Sequence, residues 1–198
     1  MATAKSATKS AESGGNFDNE ELLALAKLDL SKNEIEKALS KIKQVLNDSK
    51  PPAETFSIAA KIYAQLKLYT RAQEMFNAYI KANPDAQLET FQLGMTYFES
   101  GDRKEAVKVW GQILEKLPKH PPALFYSALA FAQDNDVIAA KKILSTLIQS
   151  APNDNLYFNR GKDLLTSIER GEKAKVPDGN DAGAASSFLL NTTYGTEH

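Results

Sequence analysis

Five sets of residues recur in this chain at one spacing, 34 positions. Pro84, Pro118 and Pro152 form one set, Ala72, Ala106 and Ala140 a second, and Tyr63, Tyr97 and Phe131 a third. The small residues Ala60, Gly94 and Ala128 and the large apolar residues Phe76, Trp110 and Leu144 keep the same register. A repeat of this length cannot bury its apolar face alone, so the chain must fold as a stack of like units. With the prolines at position 32, the units are 19–52, 53–86, 87–120 and 121–154. The first is the weakest: it keeps Leu22, Leu25, Ala26, Ala38 and Ile42 but has Asp29 in the aromatic column and Lys50 in the proline column.

Within each unit apolar residues return every three or four positions, which predicts two helices, and the fold class is all-α. Ala26, Ala60, Gly94 and Ala128 stand opposite Ala38, Ala72, Ala106 and Ala140, so the two helices approach closely. Asn33, Gly101 and Asn135 tolerate the left-handed conformation that ends a helix; Lys67 is the exception in that column. Asp18 to Glu21, Thr70 to Gln73 and Asp102 to Glu105 have the spacing of capping boxes. After Pro152, residues 155–170 predict one more helix, with Leu156, Phe158, Leu164, Leu165 and Ile168 available to cover the last unit. Residues 1–18 are expected to form a disordered leader, and 171–198 a flexible tail. That tail ends in an apolar cluster, Phe188, Leu189 and Leu190 with Tyr194, which is expected to seek an apolar surface such as the inner face of the stack.

A large residue near position 4, Leu-Gly at 7 and 8, Tyr at 11, Ala at 20, an aromatic at 24 and Pro at 32 resemble the tetratricopeptide repeat. Leu93, Gly94, Tyr97, Gly101, Ala106, Trp110 and Pro118 carry the best match. The resemblance implies an α-solenoid of four repeats with a C-terminal capping helix. It also implies a concave groove, lined by positions 2, 5, 6, 9, 12 and 13 of each first helix, that receives a peptide or partner helix. On those positions the expected partner-binding residues are Lys27, Lys61, Leu88, Phe91, Gln92, Met95, Phe98, Phe125, Tyr126 and Leu129. The third and fourth units make their half of the groove aromatic and apolar, and the expectation is that these side chains stand open to solvent. Phe98 and Phe125 become core residues instead if the helices are rotated by one column. The Lys and Asn clamp by which some of these repeats hold acidic chaperone C-termini is missing: its places carry Ser57, Lys61, Gln92, Pro122 and Tyr126.

Composition narrows the chemistry further. The 198 residues include no Cys and two His, His120 and His198, so thiolate, cysteine-metal and histidine-based catalysis lack their usual residues. Lys and Arg number 24 against 25 Asp and Glu, a net charge of -1, which does not produce the basic field of a nucleic-acid binder. No apolar run is long enough to span a membrane, and the first residues, MATAKSATKSAESGG, lack the apolar core of a secretory signal, so the expected location is cytoplasmic. These features predict a non-enzymatic adaptor, scaffold or chaperone with no cofactor or metal, whose partner is a protein or peptide with an apolar segment. The alternative class is a structural subunit whose aromatic surface is permanently buried in a homo-oligomer or larger assembly.

Overall fold

The computed structural model describes residues 17–175; residues 1–16 and 176–198, which include most of the leader and the apolar cluster of the tail, lie outside the described residues. Among the described residues there are nine α-helices and no strand, the all-α solenoid expected from the repeat. The chain divides into two compact units, one ending at Pro51 and the other beginning at Pro52.

The first unit holds α1 (Asn19–Ser31) and α2 (Ile35–Leu46). Its start is the reciprocal box read from the sequence: the Asp18 carboxylate accepts from the Glu21 N–H at 2.9 Å, and the Glu21 carboxylate accepts from the Asp18 N–H at 2.9 Å. Ala26 and Ala38 are fully buried between the two helices. Asp29, in the column that elsewhere carries an aromatic ring, is buried against Lys41 of α2, whose Nζ lies 2.6 Å from its carboxylate. An ion pair therefore joins this helix pair at the column that elsewhere carries a ring.

The second unit runs α3 (Ala53–Gln65), α4 (Tyr69–Ala82), α5 (Gln87–Glu99), α6 (Arg103–Lys116), α7 (Pro121–Gln133), α8 (Val137–Ser150) and α9 (Leu156–Glu169). Each helix packs on the next, and α9 also reaches back to α7. The first-to-second-helix turns of all four repeats share one geometry. Asn33, Lys67, Gly101 and Asn135 take positive φ, and the following N–H donates back to the carbonyls of Asp29, Tyr63, Tyr97 and Phe131 at 2.8 to 2.9 Å. Lys67 adopts it without the help of a glycine or asparagine, at φ 57°.

That shared turn puts the N-caps of the second helices in one column: Glu34, Leu68, Asp102 and Asp136. Asp102 and Asp136 each accept from the N–H three residues on. Thr70 does not cap, because α4 begins at Tyr69 with Leu68 at the cap and no side-chain bond there. The small columns do what their spacing implied. A Cβ on Gly94 would lie 2.6 and 2.7 Å from Cδ1 and Cε2 of Trp110, inside any possible contact. Trp110 itself is fully buried and donates its indole N–H to the Phe91 carbonyl at 3.2 Å.

In α9, Leu164 is buried, and Phe158, Leu165 and Ile168 pack partly buried on the core. Leu156, expected to join them, is instead 56% exposed, at the first residue of the helix just beyond the Asn155 cap. Gly161 lets α9 approach Leu147 and Ile148 of α8.

A candidate inner face on three alternate helices

The helices α3, α5 and α7 form the inner row of the second unit, and their burial differs in kind from that of α4, α6 and α8. The outer helices bury one stripe each, such as Ala106, Val109, Trp110 and Ile113 on α6. The inner helices are buried without interruption over residues 57–64, 90–96 and 123–130. At about 100° per residue, a run of seven or eight goes round the whole circumference, so these helices are enclosed on every side. In the first unit, α1 buries only Leu22, Leu23, Ala26 and Asp29.

This corrects the expectation of an open aromatic surface. Phe91, Gln92, Met95, Phe98, Phe125, Tyr126 and Leu129 are all buried, and Leu88 is half-buried. The rings explain much of it. Phe91 and Phe98 lie 6.1 and 5.9 Å from Trp110, and 5.7 and 6.2 Å from Tyr126, so side chains of α5 lean across the joint toward α6 and α7. Phe125 stacks edge-on to Tyr126 at 5.3 Å and tilts against Tyr157 of α9 at 5.7 Å. The large rings thus bridge neighbouring repeats instead of standing free, and Phe98 and Phe125 belong to the core. Tyr157 and Arg160 of α9 join the site without having been singled out by the repeat, since α9 is outside its period; a cation–π contact of 5.4 Å links the two.

The α3 end of the row is polar. Lys61, on α3, is buried with its Nζ 3.8 Å from the Glu89 carboxylate of α5, and Ser57 donates its hydroxyl to the same carboxylate at 3.1 Å. Burial pushes the Lys61 amine below the ordinary lysine value, against the opposing pull of Glu89 and Glu54. Glu89 stands at position 3 of its unit, a column the groove pattern passes over. Lys27, in the first unit, lies half-buried on α1 and is engaged in contacts of its own. The Gln92 carboxamide is 1% exposed and neither its nitrogen nor its oxygen is hydrogen-bonded. A buried amide in that condition carries an unmet demand for one donor and one acceptor.

His120 is the N-cap of α7: its Nδ1 accepts from the Ala123 N–H at 3.2 Å, and its ring lies 6.1 Å from Phe91. Burial holds its pKa below the ordinary histidine value. Beyond α9 the chain reverses at Gly171, φ 71°, where the Glu172 N–H donates to the Ser167 carbonyl at 2.9 Å. Residues 172–175 then border two clefts. One, of about 370 Å³, has Phe125 and Leu164 in its wall with Arg160, Lys173 and Lys175. The other, of about 540 Å³, is bounded by Ala132, Gln133 and Ile168. Phe125, Ala132 and Gln133 occupy positions 5, 12 and 13 of the fourth repeat, so this segment reaches the inner columns. Among the described residues no helix is long and apolar enough to cross a membrane.

Tetratricopeptide-repeat profiles match residues 53–86 and 91–155, together half of the chain. No curated protein is detectably related by sequence. Among solved structures, MamA from Desulfovibrio magneticus RS-1 superposes with a TM-score of 0.66 at 16% identity, covering 87% of this chain and 93% of that one. YrrB, described as a TPR protein with an unusual peptide-binding site, gives 0.61 at 19% identity, with 89% and 88% covered. A thermophilic TPR protein of Thermus thermophilus gives 0.56 at 19% identity, with 74% and 80% covered. Their likeness to this chain is one of fold.

Proposed function

Because this chain belongs to the tetratricopeptide repeat family, and so is built as a protein-interaction module, we propose that it works as an adaptor or chaperone whose inner face takes an extended apolar segment of another protein. The observation carrying this reading is the row itself: Phe91, Met95, Phe125, Tyr126 and Leu129 lie on neighbouring inner helices of one unit, next to a polar end made by Lys61 and Gln92. An apolar floor with few fixed polar groups suits a segment recognised mainly by its hydrophobic side chains, with Gln92 free to meet its backbone. YrrB, with its own peptide-binding site on the same fold, supports this use of the architecture. No step of this function requires covalent chemistry.

The test is a fluorescence-anisotropy titration of the full chain with labelled ten-residue peptides, one set carrying spaced Phe and Leu and a matched set carrying Ser at those places. Saturable binding of the apolar set alone, weakened at least tenfold by Gln92→Leu, is the expected outcome. Equal affinity for both sets, or no binding by either while sedimentation gives a stable oligomer, would replace this reading with that of a structural subunit.

A further inference from the structure

We propose that the chain supplies an occupant for its own inner face: the segment 176–198 lies along α7 and α5, with Phe188, Leu189 and Leu190 against Met95, Phe125 and Tyr126. The first argument is the burial pattern. A solenoid of helix pairs has two layers, and its inner helices touch their partners outside and each other at the sides, which leaves one face uncovered. Here α3, α5 and α7 are buried round their circumference over those runs, and α9, through Tyr157 on Phe125 and Tyr126, covers only the α7 end of the row. Outside the described residues, the segment 176–198 carries the apolar cluster suited to cover what remains of that face.

The second argument is direction. The reversal at Gly171 turns the chain back from α9, Ala174 packs on the core, and residues 172–175 already line the clefts at Phe125 and at Ala132 and Gln133. The described chain therefore ends, at Lys175, beside the inner columns of the fourth repeat. Reach is sufficient: twelve residues separate Lys175 from Phe188, and a flexible chain of that length spans roughly 17 to 21 Å, about two helix spacings.

The third argument is chemical fit. Residues 176–198 contain Asp178, Asp181 and Glu197 and no Lys or Arg, while the cleft beside Lys175 is edged by Arg160, Lys173 and Lys175 against Asp163 and Glu172, a balance of one positive charge. Their single apolar cluster matches the apolar floor, and the unpaired Gln92 amide offers a donor and an acceptor to a peptide backbone. Tethering supplies an effective concentration on the order of millimolar, so a weak contact is enough. This inference stands on the geometry of the face and does not need an external partner. Where there is one, the tail is its competitor.

The absence of native cysteine and the presence of only three methionines allow a clean test on the full chain. Thr192→Cys is labelled with a nitroxide, and methyl-labelled methionine spectra are recorded before and after reduction of the label. The expected result is at least fivefold loss of the Met95 signal, with Met75, on the outer helix α4, little affected. Unchanged Met95 intensity would overturn the proposal. Mixing spin-labelled chains of natural isotope content with methyl-labelled chains that carry no cysteine separates the remaining outcome: Met95 loss in that mixture means that a second copy supplies the tail, which also overturns self-occupancy. If Met95 is lost in the single species yet apolar peptides never compete, the tail is confirmed in place and the adaptor reading fails instead.

Discussion

Replacing Gly94 by alanine should be among the most damaging single-methyl additions in this protein. The new Cβ would fall within 2.6 to 2.7 Å of Cδ1 and Cε2 of Trp110 and closer still to Nε1, so the indole must move. It has nowhere to go, being fully buried among Phe91, Phe98 and Tyr126 at centroid distances of 5.8 to 6.1 Å. Overpacking of this kind costs about 1 to 3 kcal/mol. Displacing the indole also breaks its bond to the Phe91 carbonyl and strands a buried donor, for about 1 to 3 kcal/mol more. Against this, alanine gains about 1 kcal/mol of helix propensity over glycine. The balance is a loss of roughly 1 to 5 kcal/mol. Gly111→Ala provides the control, since it lies in α6 with nothing within 4 Å of the added carbon, and it should be neutral or stabilising by up to about 1 kcal/mol. Urea denaturation followed by far-ultraviolet circular dichroism measures both. Trp110, the only tryptophan, reports the local change by its emission. If Gly94→Ala is as harmless as Gly111→Ala, the close approach of α5 and α6 is wrong.

Three further outcomes follow from the inner row and its caps. Lys61→Met leaves the half-buried Glu89 with Ser57 alone and should cost roughly 3 kcal/mol, most of which returns in the double variant Lys61→Met with Glu89→Leu, as read from urea midpoints. His120 must be neutral at Nδ1 to cap α7, and its native pKa is depressed, so the unfolded chain takes up the proton first. Stability is therefore full above about pH 6.5 and falls as pH drops from there toward the native His120 value; His120→Asn should lack this part of the pH profile, as checked by thermal melts between about pH 4.5 and 8. Asp18→Ala removes one arm of the capping box and should cost about 1 kcal/mol, with amide exchange rising in the first turn of α1 and unchanged in α7.

The helix pairs, their turns and their small-residue contacts were legible because each depends on residues held at fixed offsets within one unit. Asn33, Lys67, Gly101 and Asn135 share a conformation for that reason, even though only one is glycine. The capping error at Thr70 is instructive: its spacing to Gln73 satisfies the local rule, but the periodic column of Asp102 and Asp136 already pointed to residue 68 as the cap. The period outweighs the local motif because the turn before it has constant length. Exposure of the inner face was not legible. Position in a repeat specifies which way Met95 or Phe125 points but carries no information about what else in the chain covers it, and the rings of Phe91 and Phe98 are long enough to reach a neighbouring unit whichever side they start from. Glu89 escaped because a half-buried carboxylate at position 3 has meaning only once Lys61 is seen beside it.

The neighbour-to-neighbour packing of α3 through α9 has a consequence for how the chain acquires this structure. Every strong helix contact in the second unit joins elements one or two apart in sequence, so each step of assembly closes a loop of a few residues and forfeits little chain entropy. A hairpin of two thirteen- or fourteen-residue helices with its left-handed turn residue can form anywhere and serve as a template for the next, as in growth from a seed. Folding should then be fast and insensitive to where it begins, and a pulling force applied at the ends should release the chain hairpin by hairpin, giving a sawtooth of similar small steps and no single rupture.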